Sequence, residues 1–417
     1  MASHFTLQYF GMSKSSWSTQ ANPPPLCLTT GTIGGTKDVS GTLEVCAAFI
    51  RKKGQYKLFL RENTHFALAS AQPLRTHPHQ DPRKESMLAE RAAVLDLTLI
   101  TAAKAMTTSP SELRGLHASA SRDALSGTPL QKLQKLQRLP AVPGNLPNRV
   151  NDLLLLRPDP EEQEKSNNRH AVFFHGDIQN FQEEMALQPE GAQWLSWSLE
   201  RVAFTLGCRF PDRHVWVVRA SRMYLHKFSC YQNFVESNMF GAPEHSPYSA
   251  DSGAFHHLRA LLSHGMERAS LPDPLQPQGG ADSIPSGFSL TLVGFSKGCV
   301  VLNQMVYELP GARADPQMSP FVKHISDMFW LDGGHPGGSE TWVTDKQVLK
   351  ELAGSGVSIH AHVTPYEVCD PMRAWVGREH GHFIKTLEEF GACPSKKLHF
   401  KDEPPSIENH FRVIQEF

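Results

Sequence analysis

The sequence has few of the features that would indicate a disulfide framework, a structural zinc site or a membrane span. Its seven cysteines lie in a chain of 417 residues, and no pair has C-x-x-C spacing. We therefore expect reduced cysteines and a reducing compartment. No run of about 18 consecutive apolar residues is present. The nearest candidate, 87–106, carries four charged side chains and is predicted to be part of a surface helix.

An excess of charge of one sign is also missing. The chain has 41 basic and 42 acidic residues, a formal net charge of -1. This balance suggests neither a nucleic-acid partner nor an anionic membrane surface. The first acidic residue is Asp38, as in acid-poor transit peptides, but residues 1–37 contain no arginine, which such peptides usually have. The N-terminal sequence alone therefore leaves a targeting segment undecided.

Two regions differ in their sequence pattern. We predict that residues 1–130 form an N-terminal extension, which either carries a targeting segment or is partly disordered. Within it, the stretches "TLEVCAAFI" and "YKLFL" predict a β-hairpin across "RKKGQ", and residues 84–106 predict a helix. We assign residues 131–417 to one domain in which apolar strand patterns alternate with helical ones.

This alternation predicts an α/β fold with a mostly parallel central sheet and helices on both faces. The predicted strands are 152–157, 170–174, 214–220, 288–293, 328–332, 357–363 and 397–401. The predicted helices are 194–206, 253–264, 299–309, 345–356, 376–391 and the C-terminal segment from Glu408. In such sheets the chemistry lies at the carboxyl ends of the strands, so the residues after each strand are the candidates for a site.

The stretch "TLVGFSKGCV" contains G-x-S-x-G between a predicted strand and a predicted helix. This is the pattern of a nucleophile elbow, in which a tight turn exposes the serine and a helix N-terminus faces the developing anion. Ser296 is the candidate nucleophile. The alternative is a serine in an ordinary packing or phosphate-binding turn, but the P-loop spacing is missing.

A serine nucleophile needs a base and an acid that orients the base. His410, after the last predicted strand, is the candidate base. Asp370 is the candidate acid, with Asp332 as the alternative acid and Glu367 next. The order Ser, Asp, His along the chain is that of α/β-hydrolases. Each of these residues could instead have a capping or packing role.

The backbone N–H groups of Lys297 and Asp177 are the predicted oxyanion hole. A carboxylate at Asp177 would oppose a developing negative charge unless it turns away or is neutralised; His175 and Lys297 are the candidate neutralising groups. The two H-x-H pairs, 360–362 and 380–382, lack a known metal-binding spacing. We therefore predict neither a metal nor another cofactor.

Several stretches together resemble one family: "VFFHGDIQNF", "SRMYLHKFSCYQNFVESNMFGAPEH", "TLVGFSKGCVVLNQ", "WLDGGHPGGSETWVT", "HVTPYEVCDPMRAWVG" and "PSIENHFRV". It is the uncharacterised family of the animal mitochondrial protein named for open reading frame 69 of chromosome 2. The resemblance extends from about residue 131 to 417. It implies an α/β-hydrolase-like fold, a mitochondrial, matrix location and a role in sustaining respiration. The family motifs that the chain matches contain Ser296, Asp370 and His410, so the resemblance implies the same three residues as the candidate triad.

Two functional hypotheses follow. In the first, the protein is a mitochondrial serine hydrolase that acts on an ester, thioester or other acyl substrate, which could be a small molecule or a lipid. In the second, it is a non-catalytic hydrolase-like scaffold that acts through a protein partner in mitochondria. They differ in whether Ser296, His410 and a carboxylate come together. In the first hypothesis segment 223–242 lines an acyl pocket or forms a lid, with a packed crossover segment as the alternative. In the second, "HKFSCYQNFVESNMFGAPEH" (226–245) is a docking surface.

Overall fold

The computed structural model divides the chain into two units, Met1–Ala120 and Ser121–Phe417. Within the ranges given next, side chains are described only from residue 135 onward, and that of Glu190 is not. The described ranges are 46–52, 55–62, 65–70, 135–159, 168–238, 241–276, 284–285 and 287–417.

The first unit contains an antiparallel sheet of three strands, β1 (Cys46–Lys52), β2 (Gln55–Glu62) and β3 (His65–Ser70). Its order is β1-β2-β3, and Lys52 pairs with Gln55 where β1 meets β2. The predicted hairpin is therefore confirmed, and β3 is an addition that the sequence patterns did not indicate. The helix predicted over 84–106 lies outside the described residues.

The strands of the second unit, in chain order, are β4 (Leu136–Pro143), β5 (Val150–Leu156), β6 (Arg169–Phe174), β7 (His214–Val218), β8 (Arg222–Tyr224), β9 (Phe228–Cys230), β10 (Glu236–Ser237), β11 (Pro243–Glu244), β12 (Ser289–Phe295), β13 (Ile325–Leu331), β14 (Ser358–Val363) and β15 (Ser395–Leu398). Its helices are α1 (Gln182–Ala186), α2 (Pro189–Ala192), α3 (Leu199–Arg209), α4 (Ala254–Arg268), α5 (Cys299–Ala314), α6 (Ser319–Val322), α7 (Lys346–Ala353), α8 (Pro365–Val368), α9 (Ala374–Glu389) and α10 (Ile407–Glu416).

Eight of these strands form the central sheet, in the order β15-β14-β13-β12-β6-β7-β5-β4. Every neighbouring pair from β15 to β7 is parallel, and only β5 runs against both of its neighbours. The remaining strands form two short hairpins, β8 with β9 and β10 with β11. None of the described helices is both long and apolar enough to cross a membrane.

The apolar strands explain why the sheet is covered on both faces. All five residues of β7 are buried, as are the last six of β12, and successive side chains of a strand point to opposite faces. Helix α3 packs on β5 and β7, and α5 packs on β12 and β13. At one edge, β15 has four exposed residues and two lysines, a charge pattern that opposes pairing with another chain.

The mostly parallel sheet, its two covered faces and the strand, turn and helix around Ser296 are those of an α/β-hydrolase-like fold. The fold class predicted from the sequence is therefore confirmed. Because β6, β12, β13 and β14 are parallel neighbours, their carboxyl ends meet at one edge of the sheet. This edge carries the candidate site.

Candidate active site

Ser296 occupies a sharp turn between β12 and α5. Its backbone φ is 51°, in the left-handed region that residues other than glycine rarely adopt. A short turn of 3-10 helix, Ser296–Gly298, leads directly into α5, so the N-terminal end of that helix lies beside the serine. A strained serine between a buried strand and a helix is the geometry of a nucleophile elbow.

Glycines allow the carboxyl end of β6 to lie against this turn. A Cβ atom added to Gly298 would lie 2.0 Å from the carbonyl oxygen of Phe174, and one added to Gly176 would lie 2.8 Å from the Cβ of Ser296. Neither distance is compatible with a side chain. The loop after β6, which was predicted to supply an oxyanion N–H group, therefore contacts the serine directly.

His410 lies on α10 and is buried, with 5% of its surface exposed. Its Nδ1 is 2.7 Å from Oδ2 of Asp332, which is fully buried. A carboxylate at Nδ1 favours the tautomer in which that nitrogen carries the proton, leaving Nε2 able to accept one. The imidazole ring also packs on Phe295, the residue before Ser296, with the ring centroids 4.7 Å apart.

Asp332 is held in place by the strand beside its own. It follows β13 with a left-handed backbone φ of 48°. The backbone N–H of Thr364 donates to its Oδ1 at 2.7 Å, and the Thr364 hydroxyl donates to its Oδ2 at 2.6 Å. Sequence reasoning missed Thr364. It directly follows β14, so the same rule of examining residues at strand ends could have identified it.

The structure replaces Asp370 with Asp332 as the carboxylate that contacts His410. The Asp370 side chain accepts a hydrogen bond from the backbone N–H of Met372 at 2.9 Å and from Nε of Arg373 at 3.1 Å. This is a helix-capping role, as the alternative interpretation of an Asp-Pro pair predicts. The hydrogen bond to Nδ1 of His410 is made by Asp332, the alternative acid.

Glu367, the third candidate acid, is bound to Arg373 as well. The two side chains form an ion pair in which Nη1 and Oε2 are 2.8 Å apart, and Glu367 is only 4% exposed. Burial raises the pKa of Glu367, and the charge of Arg373 opposes this shift. Arg373 thus joins Glu367 and Asp370 in one cluster beside the candidate site.

The two predicted oxyanion donors belong to the two segments that meet at Ser296. The N–H of Lys297 is at the start of the helical turn, and the N–H of Asp177 belongs to the loop that contacts Ser296. Neither donates to any acceptor in the described part of the chain. The loop is held by hydrogen bonds from Gly176 N–H to Oε1 of Gln179 at 2.9 Å and from Ile178 N–H to the Lys227 carbonyl at 2.6 Å.

The carboxylate of Asp177, a difficulty for an oxyanion hole, is bound by Ser229. Its Oδ1 accepts hydrogen bonds from the Ser229 N–H at 2.8 Å and hydroxyl at 2.9 Å. Burial raises the pKa of Asp177, and the charge of Lys297 opposes this shift most strongly. The buried Lys297 amine donates to the carbonyl of Gly241.

His175, the other candidate for neutralising Asp177, has a different role. Its Nε2 accepts the backbone N–H of Ala220 at 2.9 Å, and burial lowers its pKa to about 4. It is therefore neutral at physiological pH and binds backbone. Of the two candidate neutralising groups, Lys297 is the one whose charge opposes the burial-induced rise in the pKa of Asp177.

Two further findings concern the candidate residues. His410 and Ser296 are both described, and no hydrogen bond joins the histidine ring to the serine hydroxyl. Within the described residues, no group of three potential ligands could hold a metal ion. In the H-x-H pair of β14, His360 binds Asp327 at 3.2 Å and His362 binds His399 at 2.8 Å.

The comparisons with solved structures give weak likenesses. An acylaminoacyl peptidase of Pyrococcus horikoshii is 11% identical, with a TM-score of 0.34, and the match covers 91% of this chain and 50% of the peptidase. A vibralactone cyclase is 12% identical, with a TM-score of 0.33, and the match covers 83% of this chain and 87% of the cyclase. The fold assignment rests on the strand order and the elbow described above.

The comparisons with protein sequences give much closer relatives. A mitochondrial protein C2orf69 homolog of Danio rerio is 68% identical over 289 residues, covering 66% of this chain and 84% of the relative. Mitochondrial protein C2orf69 of Homo sapiens is 44% identical over 329 residues, covering 66% of this chain and 85% of the human protein. The C2orf69 family model matches residues 138–278 and 269–393. The chain belongs to the C2orf69 family.

Proposed function

We propose that the protein is a serine hydrolase that acts on an ester, thioester or other acyl substrate. The observation that supports this most is the buried pair of His410 and Asp332, 2.7 Å apart, packed against the turn that carries Ser296. A carboxylate, an imidazole and a strained serine at one edge of a sheet form the arrangement that activates a hydroxyl nucleophile.

The proposed reaction begins when Oγ of Ser296 forms a bond to the acyl carbon and its proton passes to Nε2 of His410. The carbonyl electron pair moves onto the oxygen, which accepts hydrogen bonds from the N–H groups of Lys297 and Asp177. The intermediate then expels an alcohol, thiol or amine, which takes the proton from His410. Asp332 orients the imidazole and stabilises its positive charge throughout.

Water completes the cycle. It attacks the acyl-serine, gives a proton to His410 and forms a second tetrahedral intermediate at the same two N–H groups. Collapse of this intermediate releases the carboxylic acid, and Ser296 regains its proton from His410. The first step requires the serine hydroxyl and the imidazole to approach within hydrogen-bond distance, and such contacts often tighten only when substrate binds.

The relatives of this chain are named mitochondrial proteins. We propose a mitochondrial, matrix location and a role in supporting respiration for this chain too. We also propose that residues 1–130 act as an N-terminal extension to the hydrolase-like domain.

The alternative is a non-catalytic scaffold that acts through a protein partner. Two observations favour it: the serine hydroxyl makes no hydrogen bond to His410, and the oxyanion loop carries a carboxylate at Asp177. The first is compatible with an enzyme that has no substrate bound. As for the second, the Asp177 carboxylate is already bound by Ser229, and the positive charge of Lys297 opposes its negative charge. We therefore favour the hydrolase.

The test is hydrolysis of a series of p-nitrophenyl esters and acyl thioesters with acyl chains of increasing length. We expect wild-type protein to hydrolyse at least one class, and Ser296→Ala and His410→Ala to lose this activity while keeping the wild-type circular dichroism spectrum. Asp370→Asn is the matched control, because its carboxylate binds Met372 and Arg373, and it should keep most of the activity. Activity that persists in Ser296→Ala would contradict the proposal.

A further inference from the structure

Three large apolar side chains are mostly exposed in the described part of the second unit. Among the side chains that the structure describes, Leu187, Met372 and Leu225 are the most exposed large apolar ones, at 79%, 75% and 63%. They lie in segments that follow the carboxyl ends of β6, β14 and β7 respectively. Single exposed apolar side chains are common on protein surfaces, so the conformation and the neighbours of each residue decide whether its exposure is unusual.

Leu225 belongs to a hairpin whose conformation makes this residue unusual. Strands β8 and β9 pair from Arg222 to Tyr224, and the N–H of Lys227 donates to the Tyr224 carbonyl at 3.1 Å. The two residues inside that turn, Leu225 and His226, have φ values of 51° and 57°. Turns with two left-handed residues strongly favour Asn-Gly or Asp-Gly. Neither the backbone conformation nor burial accounts for a leucine here.

The hairpin is locally basic, in contrast to the neutral balance of the whole chain. Residues 213–235 contain no aspartate or glutamate. The guanidinium of the exposed Arg222 lies 5.8 Å from the centroid of the Tyr224 ring, and Lys227 follows the tip. Tyr224 is itself 43% exposed. A tyrosine and a leucine at a tip flanked by basic residues match the charge and polarity of an anionic lipid interface.

We propose that this hairpin docks the protein on an anionic lipid surface, with Tyr224 and Leu225 entering the headgroup region and the exposed Arg222 facing the lipid phosphates. The proposal does not require Ser296 to be catalytic. If it is, docking has a second consequence. The carbonyl of Lys227 accepts the N–H of Ile178, and Ser229 binds Asp177, so the hairpin that meets the lipid also holds the oxyanion loop.

The test is co-flotation of the full chain with vesicles of phosphatidylcholine alone or mixed with phosphatidylserine. Wild-type protein should float with the mixed vesicles, less so as salt is added, and should stay unbound with phosphatidylcholine alone. Leu225→Asn should weaken binding by about tenfold, the effect of leaving one leucine out of the apolar phase. Arg222→Gln should weaken it by about fivefold, the effect of one basic residue at such a surface.

The leucine variant is chosen to separate binding from folding. Asparagine adopts the left-handed conformation more readily than leucine, so Leu225→Asn should unfold at or above the wild-type temperature. Leu398→Asn is the matched control, because Leu398 is 42% exposed on the edge strand β15, and it should bind as wild type does.

Three results would overturn the proposal. Wild-type protein could fail to bind the mixed vesicles, Leu225→Asn could bind them as tightly as wild type, or Leu398→Asn could lose as much binding as Leu225→Asn. A protein partner that cross-links at Leu225 in wild type, while the vesicles stay unbound, would assign the hairpin to protein docking instead.

Discussion

Replacing Asp332 with asparagine tests which carboxylate serves the candidate site. When His410 takes the serine proton it becomes positively charged, and Asp332 lies 2.7 Å from its Nδ1. Both groups are almost completely buried, so solvent does little to screen them. With charge centres about 4 Å apart and an effective dielectric constant of about 20, their attraction is about 4 kcal/mol, or about three powers of ten in rate.

The assay is the rate at which a fluorophosphonate labels the protein, which requires an activated serine and no knowledge of the substrate. We expect Asp332→Asn to react about a thousandfold more slowly than wild type, in line with the estimate above. Asp370→Asn should change the rate by less than about threefold, because Nδ1 of His410 is bound by Asp332, while the Asp370 carboxylate accepts from the Met372 N–H and Nε of Arg373. An Asp332→Asn variant that reacts like wild type, or an Asp370→Asn variant that loses as much rate as Asp332→Asn, would refute the role of Asp332.

Three other predictions follow from buried charged and polar groups. Lys297→Met should slow fluorophosphonate labelling at least about tenfold, because it removes the positive charge that opposes the Asp177 carboxylate beside the oxyanion site. Adding Asp177→Asn to that variant should restore part of the rate, and a double variant slower than Lys297→Met would contradict this. Glu308→Ala should lower the free energy of unfolding in urea by about 2–4 kcal/mol, because the buried carboxylate accepts the first two N–H groups of α4 at 2.7 and 3.1 Å; an unchanged urea midpoint would contradict it. Burial lowers the pKa of both His175 and His257 to about 4, so the unfolded chain binds more protons than the folded chain between pH 6.5 and 4. The free energy of unfolding should therefore fall by roughly 1–2 kcal/mol per histidine from pH 7 to pH 5. Urea unfolding of wild type and His257→Gln at both pH values measures this, and an equal loss in the two proteins would refute the role of His257.

The sequence predicted most of the fold because the fold depends on local patterns. Apolar runs bounded by turn residues located β5, β6, β7, β12, β13 and β14, whereas the last predicted strand, 397–401, overlaps β15 only at its end. Strand β12 followed by α5 was clear from the glycines around Ser296. The short hairpin strands β8 to β11 were missed, and so was β4. Its sequence, "LQRLPAVP", contains two prolines, and proline is tolerated only at a sheet edge, where β4 in fact lies.

The acid could not be chosen from the sequence because two neighbouring strands each supply one. Asp332 follows β13 and Asp370 comes after β14, and these strands are adjacent. The choice depends on the left-handed backbone at Asp332, which turns its carboxylate to Thr364 and His410. Periodicity and spacing carry no information about such a turn.

The environment of Asp177 also required the structure. Its carboxylate binds Ser229, which is 52 residues away along the chain. From the sequence, Asp177 was a charge in a position that should disfavour an anion. Contacts between distant segments decide how such a charge is accommodated, and no local pattern predicts them.

The central claim, that Ser296 is an activated nucleophile, is tested most directly by locating the fluorophosphonate adduct. Wild-type protein would be treated with the probe, its intact mass measured, and the modified residue identified by peptide mapping. The account predicts a single adduct on Ser296, lost in His410→Ala protein that is shown to be folded. No adduct on folded wild-type protein, or an adduct at another residue, would contradict it and favour the scaffold.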